Sequence, residues 1–267
     1  MKFPIGFAFN DEPKKVEMEP LIQQEVVPVR SLVQAYFPER NQTLTYFNDQ
    51  FDLKRGDFVF VDGKLEGIRG IVREVNKTFK IKVADYKKVI SVADTDVSGQ
   101  LHIAGSHFVS FDATVLPYEK IRTWYLPPVK EEDEYETGND DTGFSLDKLG
   151  DMKASQAIFE RGRDYYLEDR VVYLCIDNGR GKAIVEGERA YEVEFDYVDR
   201  EIRNLLCSCP CGYTCKHEVA AMLQLKDMLE KLEKNYAEQF QNYFAAVEKH
   251  ALFRFVVQFK QTGGIVL

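Results

Sequence analysis

The chain has 267 residues, 45% of them hydrophobic and 13% aromatic, with 35 Lys/Arg against 44 Asp/Glu. That composition excludes a wholly disordered chain and suits one large core or two smaller ones; no apolar run approaches the roughly 18 residues of a membrane-spanning helix, and the apolar stretch within residues 1–10 is too short for a signal-peptide core. The net charge of −9 is unevenly spread, because residues 131–150 hold eight acidic residues and one basic while residues 1–130 hold 17 acidic and 18 basic, so total charge does not decide the partner.

From the N terminus, residues 26–29, 43–47, 57–61 and 67–75 have strand composition, with Pro28 confining the first to a sheet edge and Asp62-Gly63 marking a turn. Residues 78–83 alternate strictly between apolar and polar, the pattern of a half-buried strand. Short strands broken by glycine predict a small β-barrel-like domain over residues 1–130. Residues 101–103 and 107–111 either extend its sheet or pack on it. Within residues 64–88 stand eight Lys/Arg against three Asp/Glu. Arg69, Arg73, Lys80, Lys82, Lys87 and Lys88 are the candidate nucleic-acid contacts, with Lys80 and Lys82 on one face and Tyr86 beside them. A basic face with aromatics can track a phosphate backbone, and it can also be a solvated outer face whose lysines guard a sheet edge. His102, His107 and His250 fit no ligand spacing and read as ordinary sheet, surface or helix histidines.

Pro127-Pro128 stops any regular element, and the acidic, glycine-containing run that follows cannot bury enough apolar area to order itself. It is expected to be a linker over residues 131–150. A short helix is predicted around residues 154–159, then strands at 165–167, 171–176, 182–187 and 190–198, the last strictly alternating and joined to its predecessor through Glu188-Arg189. Cys175 lies in an apolar run and reads as a buried, strand-borne core filler. From Lys216 onward Val219, Ala220, Met222, Leu223 and Leu225 recur at helical spacing. Further on, Leu229, Leu232, Tyr236, Phe240, Tyr243, Phe244 and Val247 fall roughly on one helical face within a predicted helical segment, residues 227–267. Internal packing and a partner surface both fit that stripe.

The strongest signal lies between the last strand and the helix. Four of the five cysteines, Cys207, Cys209, Cys211 and Cys215, crowd into nine positions, with His217 two residues beyond. Neighbours so close cannot tie distant segments by disulfides, so a metal in a reducing compartment accounts for them better. Cys207 and Cys209 can converge where a strand ends at Pro210, Cys215 and His217 where a helix begins, and Gly212 lets the chain reverse between the pairs. Three thiolates and an imidazole fill a tetrahedron around Zn2+ and leave no open position, which points to a structural rather than a catalytic site. No acidic pair sits in a context for acid–base work, so no enzyme is read.

The pattern Cys207-x-Cys209, five residues, Cys215-x-His217 resembles the SWIM-type zinc finger. Gly187 and Tyr191-Glu192-Val193 resemble its preceding strand pair, and Cys209-Pro210 with Cys215-Lys216-His217-Glu218-Val219-Ala220-Ala221 resembles its core and first helical turn. The likeness covers about residues 158–226; Cys211, inside the gap, departs from it and is either a free thiol near the site or a ligand in place of a neighbour. It implies Cys207, Cys209, Cys215 and His217 as zinc ligands, DNA, RNA or a protein as the partner, and action beside a helicase-like ATPase. The chain itself has no Gly-x-x-x-x-Gly-Lys-Ser/Thr loop, so it is read as a separate subunit of such an enzyme or a fragment of a larger protein. The expectation is therefore an α+β, cytoplasmic protein. It has a β-rich N-terminal domain (1–130), an acidic linker (131–150), a hairpin-plus-helix zinc module (151–226) and C-terminal helices (227–267). Nucleic-acid binding is its expected role, and a protein-interaction adaptor with a structural zinc is the alternative.

Overall fold

A computed structural model describes residues 30–129 and 143–257. The predicted strand at 26–29 and most of the acidic stretch lie outside the described residues. The fold is α+β, built on two antiparallel sheets.

The first sheet has five strands: β1 (Ser31–Phe37), β2 (Gln42–Asn48), β3 (Phe58–Val61), β4 (Gly70–Asn76) and β5 (Val89–Val92), in the order β2-β1-β4-β3-β5. The inner strand β1 buries Val33, Ala35 and Phe37 against Tyr46, Val59, Val61, Val72 and Val89, the alternation expected of a strand with one face in the core. This sheet is not the expected barrel. Its outer strands meet only at one isolated bridge, Phe47 with Lys88, because residues 78–82 form no strand despite their alternation. They run as an irregular loop over the sheet, held where Phe79 packs edge-on against Phe47 with ring centroids 6.1 Å apart.

Eight strands make the second sheet. They are β6 (His102–Ala104), β7 (His107–Ser110), β8 (Phe144–Ser145), β9 (Val171–Asp177), β10 (Arg180–Glu186), β11 (Ala190–Val198), β12 (Glu201–Cys207) and β13 (Tyr243–Glu248), ordered β6-β7-β13-β9-β10-β11-β12-β8. The hairpin of β6 and β7 thus joins this sheet rather than the first, with β7 pairing along β13. Asn178 and Gly179 both have positive φ, 47° and 85°, the conformation of a tight turn whose twist matches the strands it joins, here β9 and β10.

Both faces of this sheet are covered, so its inner strands read as continuous apolar runs. On one face α2 (Gln156–Leu167) and α3 (Lys216–Asn235) pack over Leu174, Ile176, Ala183, Val185, Val193, Phe244 and Ala246. On the other, α1 (Tyr118–Tyr125) and α4 (Lys249–Leu252) cover Tyr173, Cys175, Ile184, Ala245 and Val247. Phe58 of the first sheet reaches the same core, its ring 4.7 Å from that of Phe255. Helices α2 and α3 cross at Gly162, where a Cβ would stand 2.5 Å from Val219 and 2.9 Å from the Lys216 carbonyl.

Three further expectations need correction. Residues 165–167 are the last turn of α2 and not a strand, since Ser155 caps the helix by accepting from the Ile158 N–H and the helix runs unbroken from there. The C-terminal stripe is not one helical face. Leu229 and Leu232 belong to α3, whereas Phe244 and Val247 lie in β13 and point to opposite faces of the sheet. The end of the expected linker is ordered into the core: Phe144 pairs with Ile202, and Leu146 and Leu149 are buried. Strands from both sides of the acidic stretch therefore share one sheet. Among the described residues no helix is long and apolar enough to cross a membrane.

Candidate metal centre

Strand β12 ends at Cys207 beside the middle of β11, paired with Val193. The strand pair is extended one step by Ser208, whose N–H donates to the Glu192 carbonyl at 2.9 Å and whose hydroxyl accepts from the Glu192 N–H at 2.8 Å. That clamp fixes where the loop departs. Cys215 then caps α3: its N–H donates to the Glu218 carboxylate at 2.7 Å, while its sulfur accepts from the Glu218 N–H, a capping box with a thiol in the usual hydroxyl position. His217 follows in the first turn of the helix.

These elements bring Cys207, Cys209, Cys215 and His217 together. All four are buried, and their donor atoms lie within 4.8 Å of one another. The imidazole presents Nδ1, 3.7 Å from Cys207 Sγ and 3.6 Å from Cys215 Sγ. Its ring is gripped between Tyr191, stacked at 4.3 Å and 24°, and the edge of Tyr165 at 5.6 Å. Nε2 is buried without a hydrogen-bond partner, near Gly187.

Each thiol also accepts a backbone N–H: Cys207 from Cys209, Cys209 from Cys211, and Cys215 from Glu218. Such bonds favour the thiolate, the form that ligates a metal. Without a cation, however, three buried sulfurs cannot all ionise. A hydrogen bond from Cys207 pulls the Cys215 thiol down to about 4, and that same bond, with burial, pushes Cys207 far above the ordinary thiol range. Burial, with the charge of Cys215, pushes Cys209 up to about 12. A buried dication removes this conflict. The cluster can therefore hold a metal ion.

Cys211 is exposed and outside the cluster; only its N–H takes part, through the bond to the Cys209 sulfur. Cys175 is the buried strand residue expected, its thiol pushed up to about 11 by burial. His102 packs between Phe111 and Tyr236, and His250 is exposed in α4. His107 is fully buried, with Nε2 donating to the Val171 carbonyl at 2.8 Å and Nδ1 accepting from the Ser106 hydroxyl at 3.2 Å.

The six cations read from the sequence as nucleic-acid contacts do not form one face. Arg69 turns inward. It donates to the Trp124 carbonyl at 2.8 Å, lies 3.9 Å from Glu186 and stacks over Phe255 at 4.7 Å. Lys88 is held by Asp49 at 2.7 Å, and Arg73 lies 4.9 Å from the Tyr36 ring centre. Lys80, Lys82 and Lys87 remain exposed, with no ion pair among the described residues. Cations that the sequence reading passed over stand around the metal centre instead: Lys216 over Tyr165, Arg170 over the same ring, and Arg189 over Tyr191. Their sequence signal is adjacency, Lys216 sitting between Cys215 and His217 and Arg189 two residues before Tyr191.

No family model, curated protein or solved structure matches the chain.

Proposed function

We propose that Cys207, Cys209, Cys215 and His217 hold one structural zinc ion in a SWIM-type module, and that the protein acts in binding nucleic acid. The observation that supports zinc is metric. Bonds of about 2.3 Å to sulfur and about 2.0–2.1 Å to nitrogen, set at tetrahedral angles, require sulfur-to-nitrogen edges of about 3.6 Å. His217 Nδ1 stands 3.6 Å from one sulfur and 3.7 Å from another. Four protein donors complete the tetrahedron, which supports a structural role over a catalytic one. The ligand order, with a β-hairpin before the first pair and a helix starting at the second, supports the SWIM-type assignment. All the cysteines are free thiols, which suits a reducing compartment such as the cytoplasm.

Support for nucleic acid comes from the exposed Lys80, Lys82 and Lys87, which have no ion pair among the described residues, on the aromatic-bearing segment 78–87, and from the cation–aromatic pairs around the metal cluster. A helicase-like ATPase that supplies the motor this sequence lacks belongs to the same reading. Four of the seven residues in the stripe assigned to the adaptor alternative, Leu229, Leu232, Phe244 and Val247, are fully buried, which supports internal packing for that part of it; Tyr236, Phe240 and Tyr243 are half-buried.

Metal analysis of protein purified under reducing conditions tests the first half. One zinc per chain is expected, absent from a Cys207→Ser, Cys215→Ser variant that also melts at lower temperature; equal melting of the two proteins would overturn the structural role. For the second half, binding to labelled nucleic acid across a salt series should weaken as salt rises, and no binding at low salt would overturn it.

A further inference from the structure

Taking the nucleic-acid reading as its base, we infer that the metal-bearing corner is a contact surface for single-stranded nucleic acid, with Tyr213 as a base-stacking platform and Arg189 and Lys216 as phosphate contacts. Tyr213 is 75% exposed, the fourth of the five loop residues between Cys209 and Cys215. Both ends of that loop are in the metal cluster. A ring on a loop fixed at both ends has little conformational freedom left to lose, so stacking on it costs little entropy.

Two cations stand on the rings that hold His217, beside the cluster that anchors this loop. Lys216 directly follows Cys215 and lies 4.4 Å from the Tyr165 ring centre; Arg189, at the tip of the β10–β11 hairpin, lies 5.4 Å from that of Tyr191, which itself stacks on His217. Neither has an ion pair among the described residues, whereas Arg170, on the other side of Tyr165, is held by Glu168 at 2.5 Å. Three thiolates around a dication leave one negative charge, and the Glu218 carboxylate on the Cys215 N–H adds a second, so Lys216 and Arg189 only offset the two. Glu188, exposed beside Arg189, lowers the charge of the corner further. That balance favours a ligand held partly by stacking over one held by charge alone. Only unpaired bases offer a free face to Tyr213, so the ligand is single-stranded.

The test uses the zinc-loaded full chain with a fluorescent 15-nucleotide oligothymidylate and a duplex of equal length, titrated at several salt concentrations. The single strand should bind more tightly than the duplex. Tyr213→Ala should weaken it about ten-fold or more without changing the salt dependence. Arg189→Ala with Lys216→Ala should reduce the slope of log affinity against log salt by about 0.7 per lost contact. Zinc content, measured for every variant, should equal that of the wild type. If these variants bind like the wild type while Lys80→Glu with Lys82→Glu abolishes binding, the corner is not the surface and the nucleic-acid reading stands without it. Duplex binding as tight as that of the single strand overturns the single-strand assignment. Failure of the wild type to bind either probe overturns the underlying reading as well.

Discussion

At the scale of single residues, the metal centre shows why a glycine can matter as much as a ligand. A Cβ on Gly187 would stand 3.4 Å from His217 Nε2 and 3.2 Å from the Tyr191 ring that stacks on the imidazole. Gly187→Ala should therefore tilt the histidine away from the sulfurs. Zinc affinity, read by competition with a chromophoric chelator, should fall about ten-fold, the low end of the range for groups that orient ligands. Unchanged affinity would mean that the ring has room to give. The cluster itself was legible because its four residues fall within eleven positions, where the chain cannot place them far apart. Cys211 was not separable from them by spacing, because what excludes it is the direction of its side chain out of the loop. Arg69 was misread for a similar reason. Nothing in its neighbours tells that Glu186, 117 positions later, and Phe255 await it.

At the scale of elements, the strands β9 to β11 were legible because period-two alternation and apolar runs are local signals. Three elements were not, each for a nonlocal reason. Tyr165 and Tyr166 favour strands by propensity, yet the capped helix that begins at Gln156 continues through them onto α3. The residues of β13 include Ala245, Ala246 and Glu248, good helix formers, but the segment fills the slot between β7 and β9. At 78–82 the alternation was present and no partner strand was. His107 carries a prediction at this scale. It pairs with Glu248 at the end of β13, and its side chain reaches past that strand to the Val171 carbonyl of β9. Burial lowers its pKa from the ordinary value of 6.5. The folded protein then binds fewer protons than the unfolded chain wherever the pH lies between the two values. Stability should be steady above pH 7 and fall as the pH drops through about 6.5. His107→Gln should cost stability at neutral pH and flatten that slope, as followed by thermal melting from pH 8 to pH 5. A slope unchanged by the substitution would assign the acid sensitivity to other groups.

At the scale of the whole molecule, the acidic stretch suggested a division that the packing does not display. Strands β6 and β7 and helix α1 precede that stretch, and all three are built into the sheet and core that follow it. The first sheet is tied to the same core by Phe58 and by Arg69, whose guanidinium meets Trp124, Glu186 and Phe255 at once. The side chains of Arg69 and Glu186 are 18% and 30% exposed. Solvent therefore screens the pair in part, and its worth falls between that of a surface and a buried ion pair. Arg69→Met keeps much of the apolar packing and removes the charge and the bond to Trp124. It should cost about 1–3 kcal/mol, the range for losing a charged hydrogen bond in a partly buried setting. Arg254 lies 3.4 Å from the same Glu186 carboxylate, so Glu186 is not left alone and the larger penalty of an orphaned charge does not apply. A double-mutant cycle with Glu186→Gln should show positive coupling, because the two side chains share one contact. The form of the transition carries more than its midpoint. With a shared core, denaturant should unfold the wild-type chain in one step, and Arg69→Met should shift that whole step to lower denaturant. Two steps in the wild type, with only the first displaced by Arg69→Met, would mean that the first sheet folds on its own, with the division between β5 and β6 rather than at residues 131–150.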